Sequence, residues 1–204
     1  MIKISFGHST SYVLTAQKQA FLYKQYTMKI NQPLLVILVT SLLSISACKK
    51  EDTVINDTDF YKNISAALVE NYVAIYNQNV AGYPEGAVDK TVSGPLGGTV
   101  HITGSTTARG STTTTDLLFT LTQVPYVYQS GDWTVNLTLT GDVTYNGSFY
   151  GVYKSINHQS SNLRMQGAVI YKQTTRNVDM AGTVSISRNN SDVTAVIFGH
   201  AVSY

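Results

Sequence analysis

The feature that most constrains the fold is a period-two alternation of apolar and polar residues, which runs from about residue 99 to residue 204. In the clearest segment, one face carries Trp133, Val135, Leu137 and Leu139. The opposite face carries only Thr and Asn. This alternation is typical of strands with one face on a core and the other in water. The connections are short, whereas parallel strands need long crossovers, so the pattern predicts an antiparallel meander.

Turn signals divide this region into strands. Asn146-Gly147 accepts the two positive φ angles of a type I′ turn, so we predict a hairpin there. A second turn is expected at 188–192, and one last strand follows it to the end of the sequence. Residues 83–97, rich in Gly and Pro, and residues 104–114, rich in Ser, Thr and Gly, are predicted to be loops.

A helical period precedes the strands. The apolar residues that recur at spacings of four and three are Phe60, Ile64, Leu68, Tyr72 and Ile75. Asp57 or Thr58 can cap this helix, and Gly82 and Pro84 end it. Further apolar residues widen the stripe, so the helix is apolar over much of its surface and must be covered.

Three strand patterns contain an internal glycine, namely Gly141, Gly167 and Gly182. Each shares a face with the apolar residues two positions before and after it. Glycine within a strand often marks a bend or a close backbone approach. We therefore predict an α+β, mainly β fold, with one N-terminal helix packed on the concave face of a strongly curved antiparallel β-meander. A small β-barrel or sandwich is the alternative.

An uncharged apolar run, 34–43, leads to the only cysteine of the chain, Cys48. The run is shorter than the about 20 residues that span a membrane, and it ends in small residues, as signal peptides do. Ile45-Ser46-Ala47-Cys48 resembles the lipobox of bacterial lipoproteins. The resemblance implies cleavage before Cys48 and a membrane anchor formed by acyl chains on that cysteine.

The residues after Cys48 resemble the lipoprotein export signal of Bacteroidetes, here Lys50, Glu51 and Asp52. That resemblance implies a lipid-anchored outer-membrane protein at the cell surface. A solvated charged tether is the simpler interpretation of such a run. The three residues that begin at Asp52 also resemble the O-glycosylation motif of that phylum, with Thr53 as the acceptor.

These signals predict three regions. Residues 1–47 form the signal region, residues 48–57 a lipidated tether and residues 58–204 a single mainly-β domain. Met28 is a normal start for such a signal. Residues 1–27 are therefore interpreted as a gene-model extension, or alternatively as an unusually long leading region.

The charge balance argues against nucleic acid as a partner. The whole chain has 14 basic and 12 acidic residues, but four of the lysines and none of the acids precede Cys48. The remainder has 10 basic and 12 acidic residues, a net charge of −2. Nucleic-acid-binding proteins need a basic patch. The expected partners are the membrane, through the anchor, and a glycan or protein ligand.

Catalytic and metal-binding patterns are not found in the sequence. The histidines after Cys48 are scattered, and no nucleophile-elbow motif accompanies them. Zinc and calcium ligand clusters are also missing, so no metal or cofactor is expected. The chain is expected not to be an enzyme. An unrecognised hydrolase with paired carboxylates is the least favoured alternative; its candidate residues are Asp116, Asp132, Asp142 and Asp179.

Tyr126, Tyr128 and Trp133 lie in or beside one loop and are the candidate ligand-binding aromatics. The alternative is that they fill the core, because strands are rich in aromatic residues. The sequence thus favours a non-enzymatic surface lipoprotein that acts as a binding or accessory module. An envelope structural or assembly protein that docks a partner is the second hypothesis. An exposed patch would favour it, formed by Val196, Phe198, Val202 and Tyr204.

Overall fold

The alternating segments form a single antiparallel sheet in a computed structural model, which describes residues 54–82, 84–150 and 153–204. The strands are β1 (Gly86–Ser93), β2 (Thr99–Arg109), β3 (Thr112–Ser130), β4 (Trp133–Tyr150), β5 (Tyr153–Tyr171), β6 (Thr174–Asn189), β7 (Asp192–Ile197) and β8 (His200–Ser203). Each pairs with the strand before it. β1 and β8 are the edges, so the described strands form an open meander, and neither a closed barrel nor a two-sheet sandwich.

The described residues belong to one compact unit, Asp52–Tyr204. The predicted lipidation residue Cys48 lies outside the described residues, as do Lys50, Glu51, Asp52 and Thr53. Within the part of the chain that the structure describes, no helix is long and apolar enough to span a membrane.

The predicted helix is α1 (Asp57–Asn79). Its cap is Asn56, one residue before the predicted candidates, and the Asn56 side-chain oxygen accepts a hydrogen bond of 2.8 Å from the backbone N–H of Asp59. All five residues of the predicted apolar stripe are buried. α1 contacts β3, β4, β5, β7 and β8 and shares one apolar core with the sheet. Burial of that stripe is the main reason for the helix, because isolated helices are marginal in water.

The strands are longer than the sequence predicts, and the two predicted loops are wrong. Residues 83–97 contain β1, whose alternation is hidden because Lys90 lies between the core-packed Val88 and Val92. The Lys90 amine bonds the carbonyl of Asn79 at the C-terminal end of α1, where the helix dipole favours a cation. In 104–114, only a short turn separates β2 from β3, because threonine-rich segments are good strand formers.

The predicted hairpin turn at Asn146-Gly147 is also wrong. Both residues lie within β4, where Gly147 pairs with Thr115 of β3 and its N–H donates to the Thr115 hydroxyl at 3.1 Å. The hairpin is closed further on, by the pair Tyr150 and Tyr153. A Cβ atom on Gly147 would meet the ring of Phe149 at 2.8 Å. Pairing along the whole of β3 therefore overrides the local turn preference, and the glycine is needed for space.

The predicted last strand is two strands. Phe198 and Gly199 have φ angles of +49° and +87°, and they turn the chain back so that β8 pairs with β7. The preceding turn is placed correctly, since Asn190 and Ser191 connect β6 to β7 within the predicted range 188–192.

Two strands of the sheet contain a β-bulge. β3 gains one residue relative to β4 between Leu121 and Val124, and β5 gains one relative to β6 between Ser160 and Leu163. Because side chains alternate, the extra residue switches the buried positions of β3 from odd to even numbers. The same face thus stays on the core on both sides of each bulge.

Candidate functional site

A cleft opens where α1 meets the far end of β3 and the β6–β7 turn. Its volume is about 140 Å³. The lining residues are Ala66, Val69, Glu70, Tyr128, Arg188, Ser191, Val193 and Tyr204. Helix residues form one wall, and three separate parts of the sheet form the others. The cleft combines two opposite charges, two phenols and a small apolar floor.

Arg188 is the basic residue of the cleft. It follows the buried Val184 and Ile186 on the core face of β6, and it is half-buried. Its Nε donates a 2.8 Å hydrogen bond to the Asn190 carbonyl, which fixes the side chain over the turn. No carboxylate of the described residues lies within 4.0 Å of its guanidinium nitrogens. A half-buried cation without a counter-charge is uncommon, because desolvation of an unpaired charge is costly.

Glu70 lies on the exposed side of α1 at the rim of the same cleft. Among the residues described, it forms neither an ion pair nor a hydrogen bond. Burial and then the nearby Glu70 carboxylate raise the pKa of Tyr126, which lies next to the cleft on β3. Glu70 and Arg188 therefore share the cleft without neutralising each other.

Two tyrosines complete the polar lining. The Tyr204 hydroxyl donates to Ser65 Oγ at 3.4 Å, and the Lys62 amine lies 5.4 Å from the Tyr204 ring centre. Burial raises the pKa of Tyr204. The Tyr128 side chain packs against the core, and its hydroxyl has no hydrogen-bond partner within the described segments.

The structure brings together two of the three sequence-predicted aromatics. Tyr126 and Tyr128 occupy successive core-facing positions of β3, and Tyr128 lines the cleft. Trp133 does not line it; its ring stacks on Tyr171 of β5, with centroids 4.3 Å apart. The sequence alone does not predict Arg188 as a site residue, because Arg188 falls within the predicted turn 188–192. Its place two positions after Ile186 is the signal that could have assigned it to the core face.

A buried polar cluster lies in the core between α1, β4 and β5. The His158 ring centre is 4.8 Å from that of Tyr72 and 5.0 Å from that of Tyr145. Both phenol oxygens and both His158 nitrogens are buried, with no hydrogen-bond partner within 3.5 Å in the described chain. Burial lowers the pKa of His158 to about 3, against a smaller opposing effect of the Thr144 backbone. His158 is therefore neutral near pH 7 and poorly suited to general-acid chemistry there.

The four candidate carboxylates for hydrolysis lie apart. Asp116 and Asp132 are exposed, and Asp179 pairs with Arg164 at 2.9 Å. Asp142 accepts hydrogen bonds from Thr120 and Asn162, which lower its pKa.

Two wider hollows of about 490 and 500 Å³ lie elsewhere on the sheet, the first also lined by Thr58 of α1, and their lining is mainly Ser, Thr and small apolar residues. These two hollows and the cleft hold at most one carboxylate each.

The other two histidines are engaged in contacts of their own. His101 lies 2.8 Å from Asp89, and His200 stacks on Tyr61 with ring centres 3.9 Å apart. Within the described ranges, no three His, Cys, Asp or Glu side chains converge as metal ligands would. No family model, curated protein or solved structure matches this chain.

Proposed function

We propose that the chain is a lipid-anchored binding module of the outer cell surface, and that its ligand enters the cleft between α1 and the sheet. The observation that carries the binding function is the pair of unneutralised charges, Glu70 and Arg188, in one cavity with Tyr128 and Tyr204. Polar groups that converge without satisfying one another are what a ligand-binding pocket provides.

We also propose that the sheet is strongly curved and that α1 packs on its concave face. Two observations support it. Six of the 23 residues of α1 are exposed, so most of the helix surface is covered. In addition, Tyr128 of β3 and Tyr204 after β8 lie against the same turn of the helix, although β3 and β8 are far apart in the strand order.

The proposed location at the cell surface rests on the sequence. Cys48 follows a lipobox-like segment and precedes Lys50, Glu51 and Asp52. Acyl chains on Cys48 would hold the domain at the membrane, since each buried methylene contributes about 0.8 kcal/mol.

An assembly role that docks a partner has less support. Of the four residues that would form an apolar patch, Val196 and Tyr204 are 45% and 36% exposed, whereas Phe198 and Val202 pack against the core. Tyr204 also lines the cleft. A hydrolase has less support still, because the cleft holds one carboxylate, Glu70.

Protease shaving of intact cells tests the proposed surface location. The wild type should be cleaved and surface-labelled. Alanine at Lys50, Glu51 and Asp52 should leave the protein anchored but protected, and Cys48→Ala should release it from the membrane fraction. If the wild type is protected on intact cells, the surface location is wrong.

Saturation-transfer NMR on the full chain in detergent tests binding, with glucose, glucuronate, glucosamine and tetra-alanine as probes. At least one probe should receive saturation, and Ser191→Trp should abolish it by filling the cleft. Ser187→Trp is the matched control, because Ser187 is exposed and does not line the cleft. No transfer to any probe, or transfer that survives Ser191→Trp, would overturn the proposal.

A further inference from the structure

We propose that the ligand of the cleft carries a carboxylate that binds end-on to Arg188, and that this carboxylate belongs to an acidic sugar. The inference rests on the proposed function, because it assigns a chemical class to the ligand of the same cleft. It is carried by the position of Arg188, by the charges around it and by the hydroxyl groups beside it.

The Arg188 side chain is prepared for an anion. Its Nε is already committed to the Asn190 carbonyl, which holds the guanidinium in one orientation. The two terminal nitrogens have no hydrogen-bond partner in the described residues and share the cleft with open volume. Two parallel N–H groups match the two oxygens of a carboxylate, and a fixed side chain loses little entropy on binding.

The charges at the cleft favour a single negative charge on the ligand. Arg188 and the nearby Lys62 are positive, and Glu70 is the one acid in the lining. A monoanion on Arg188 would satisfy the half-buried cation. A phosphate dianion would bring a second negative charge close to Glu70, with no further guanidinium to receive it. A planar carboxylate therefore fits better than a phosphate.

The rest of the lining suits a sugar. Glu70 can accept hydrogen bonds from ligand hydroxyls, and Ser191 and Tyr128 can donate or accept them. The Tyr128 and Tyr204 rings offer flat apolar surface beside these groups. A cavity of about 140 Å³ holds the carboxylate end of one ring, and the rest of the ligand would extend past Glu70 into solvent.

Isothermal titration calorimetry on the full chain in detergent tests this, with glucuronate, glucose and acetate as probes. Glucuronate should bind more tightly than either of the others. Arg188→Gln should weaken glucuronate binding by about tenfold or more, because a charge-assisted pair is lost. Glu70→Gln should strengthen it by about two- to fivefold, because a like charge is removed. Arg164→Gln, on an exposed arginine paired with Asp179, should change nothing.

Arg188→Lys is a second variant for the case that Arg188→Gln does not fold, because lysine keeps the positive charge but lacks the two parallel N–H groups of the guanidinium. This variant should also weaken glucuronate binding. The inference is overturned if glucose binds as tightly as glucuronate, if acetate does, or if neither Arg188 variant changes the affinity. In those cases, ligand binding that Ser191→Trp still abolishes would leave the proposed binding function intact. If Ser191→Trp does not change ligand binding, both the acidic-sugar inference and the proposed binding function are wrong.

Discussion

Glycine serves two different purposes in this sheet. At Gly147 the backbone is ordinary strand, and the missing side chain makes room for the Phe149 ring. At Gly167 the backbone itself is unusual, with φ at +149°. A Cβ atom on Gly167 would also collide with the backbone carbonyl oxygen of Asn136 on the neighbouring strand. That collision is with fixed main chain, so no side-chain movement can relieve it.

Gly167→Ala should therefore lower the free energy of unfolding by about 3 kcal/mol or more, because it combines a strained φ with a backbone clash. Gly131→Ala is the matched control. Gly131 also has a positive φ, +55°, but nothing lies within 4 Å of its Cβ position. The control should cost about 1 kcal/mol. Urea unfolding measures both changes, and equal losses would contradict the close approach at Gly167.

At the scale of elements, the bulges of β3 and β5 decide which side chains reach the core. β5 buries Ile156 and His158 before its bulge and Leu163 and Met165 after it. These two pairs have opposite parity in the sequence. Without an extra residue between them, one pair would have to face water.

Deletion of Ser161, in the bulge of β5, should abolish the cooperative unfolding transition or lower its stability by several kcal/mol. The deletion turns the apolar side chains of one half of β5 outward, and each costs about 1.5–3 kcal/mol. Ser161→Ala keeps the residue count and should unfold within about 0.5 kcal/mol of the wild type. A deletion variant with wild-type stability would show that the bulge does not set the register.

The sequence predicts an element correctly where one apolar period is strong, and incorrectly where a polar residue interrupts that period. The stripe from Phe60 to Ile75 predicts α1, because five apolar residues at helical spacing leave no other regular structure. The sequence does not predict β1, because Lys90 interrupts its apolar alternation. The Asn146-Gly147 turn was wrong because a dipeptide preference is weaker than pairing along a whole strand.

The candidate site was predictable in part. Tyr126 and Tyr128 are evident as aromatics two residues apart. Their meeting with Glu70, which is more than 50 residues earlier, depends on tertiary packing that no local pattern encodes.

At the scale of the whole molecule, burial of His158 links stability to pH. The folded pKa of about 3 lies below the unfolded value of 6.5. The unfolded chain therefore binds a proton on His158 at pH values where the folded chain does not. Stability from this residue is complete above pH 6.5 and is lost as the pH falls from 6.5 toward 3.

Urea unfolding between pH 6 and pH 4.5 should show stability falling by up to about 1.4 kcal/mol per pH unit. His158→Phe should flatten this slope, because the ring packing is kept and the titrating nitrogens are removed. At pH 7 the variant should lose about 1 kcal/mol or less, since the ring nitrogens have no described hydrogen-bond partner within 3.5 Å and their contact with the Thr144 backbone is a weak one. An unchanged slope would show that folding does not lower the pKa of His158.

The position of α1 at the start of the described chain has a consequence for the order of folding. Each strand pairs with its immediate neighbour, so hairpins can form as they are made. α1 is different, because Tyr61 stacks on His200 and Ser65 receives the Tyr204 hydroxyl, 139 residues away. The helix is thus synthesised before every strand that the structure describes, yet its cover is complete only when β8 has been made.

Pulse-labelled hydrogen exchange during refolding should accordingly protect amides of the β3–β4 hairpin before those of α1. Protection of α1 at the earliest times would contradict this order. Until β7 and β8 emerge, the apolar stripe of α1 has nothing complete to pack on, and partly made chains are prone to aggregate. We therefore expect α1 to depend on shielding from other molecules until β8 has been made.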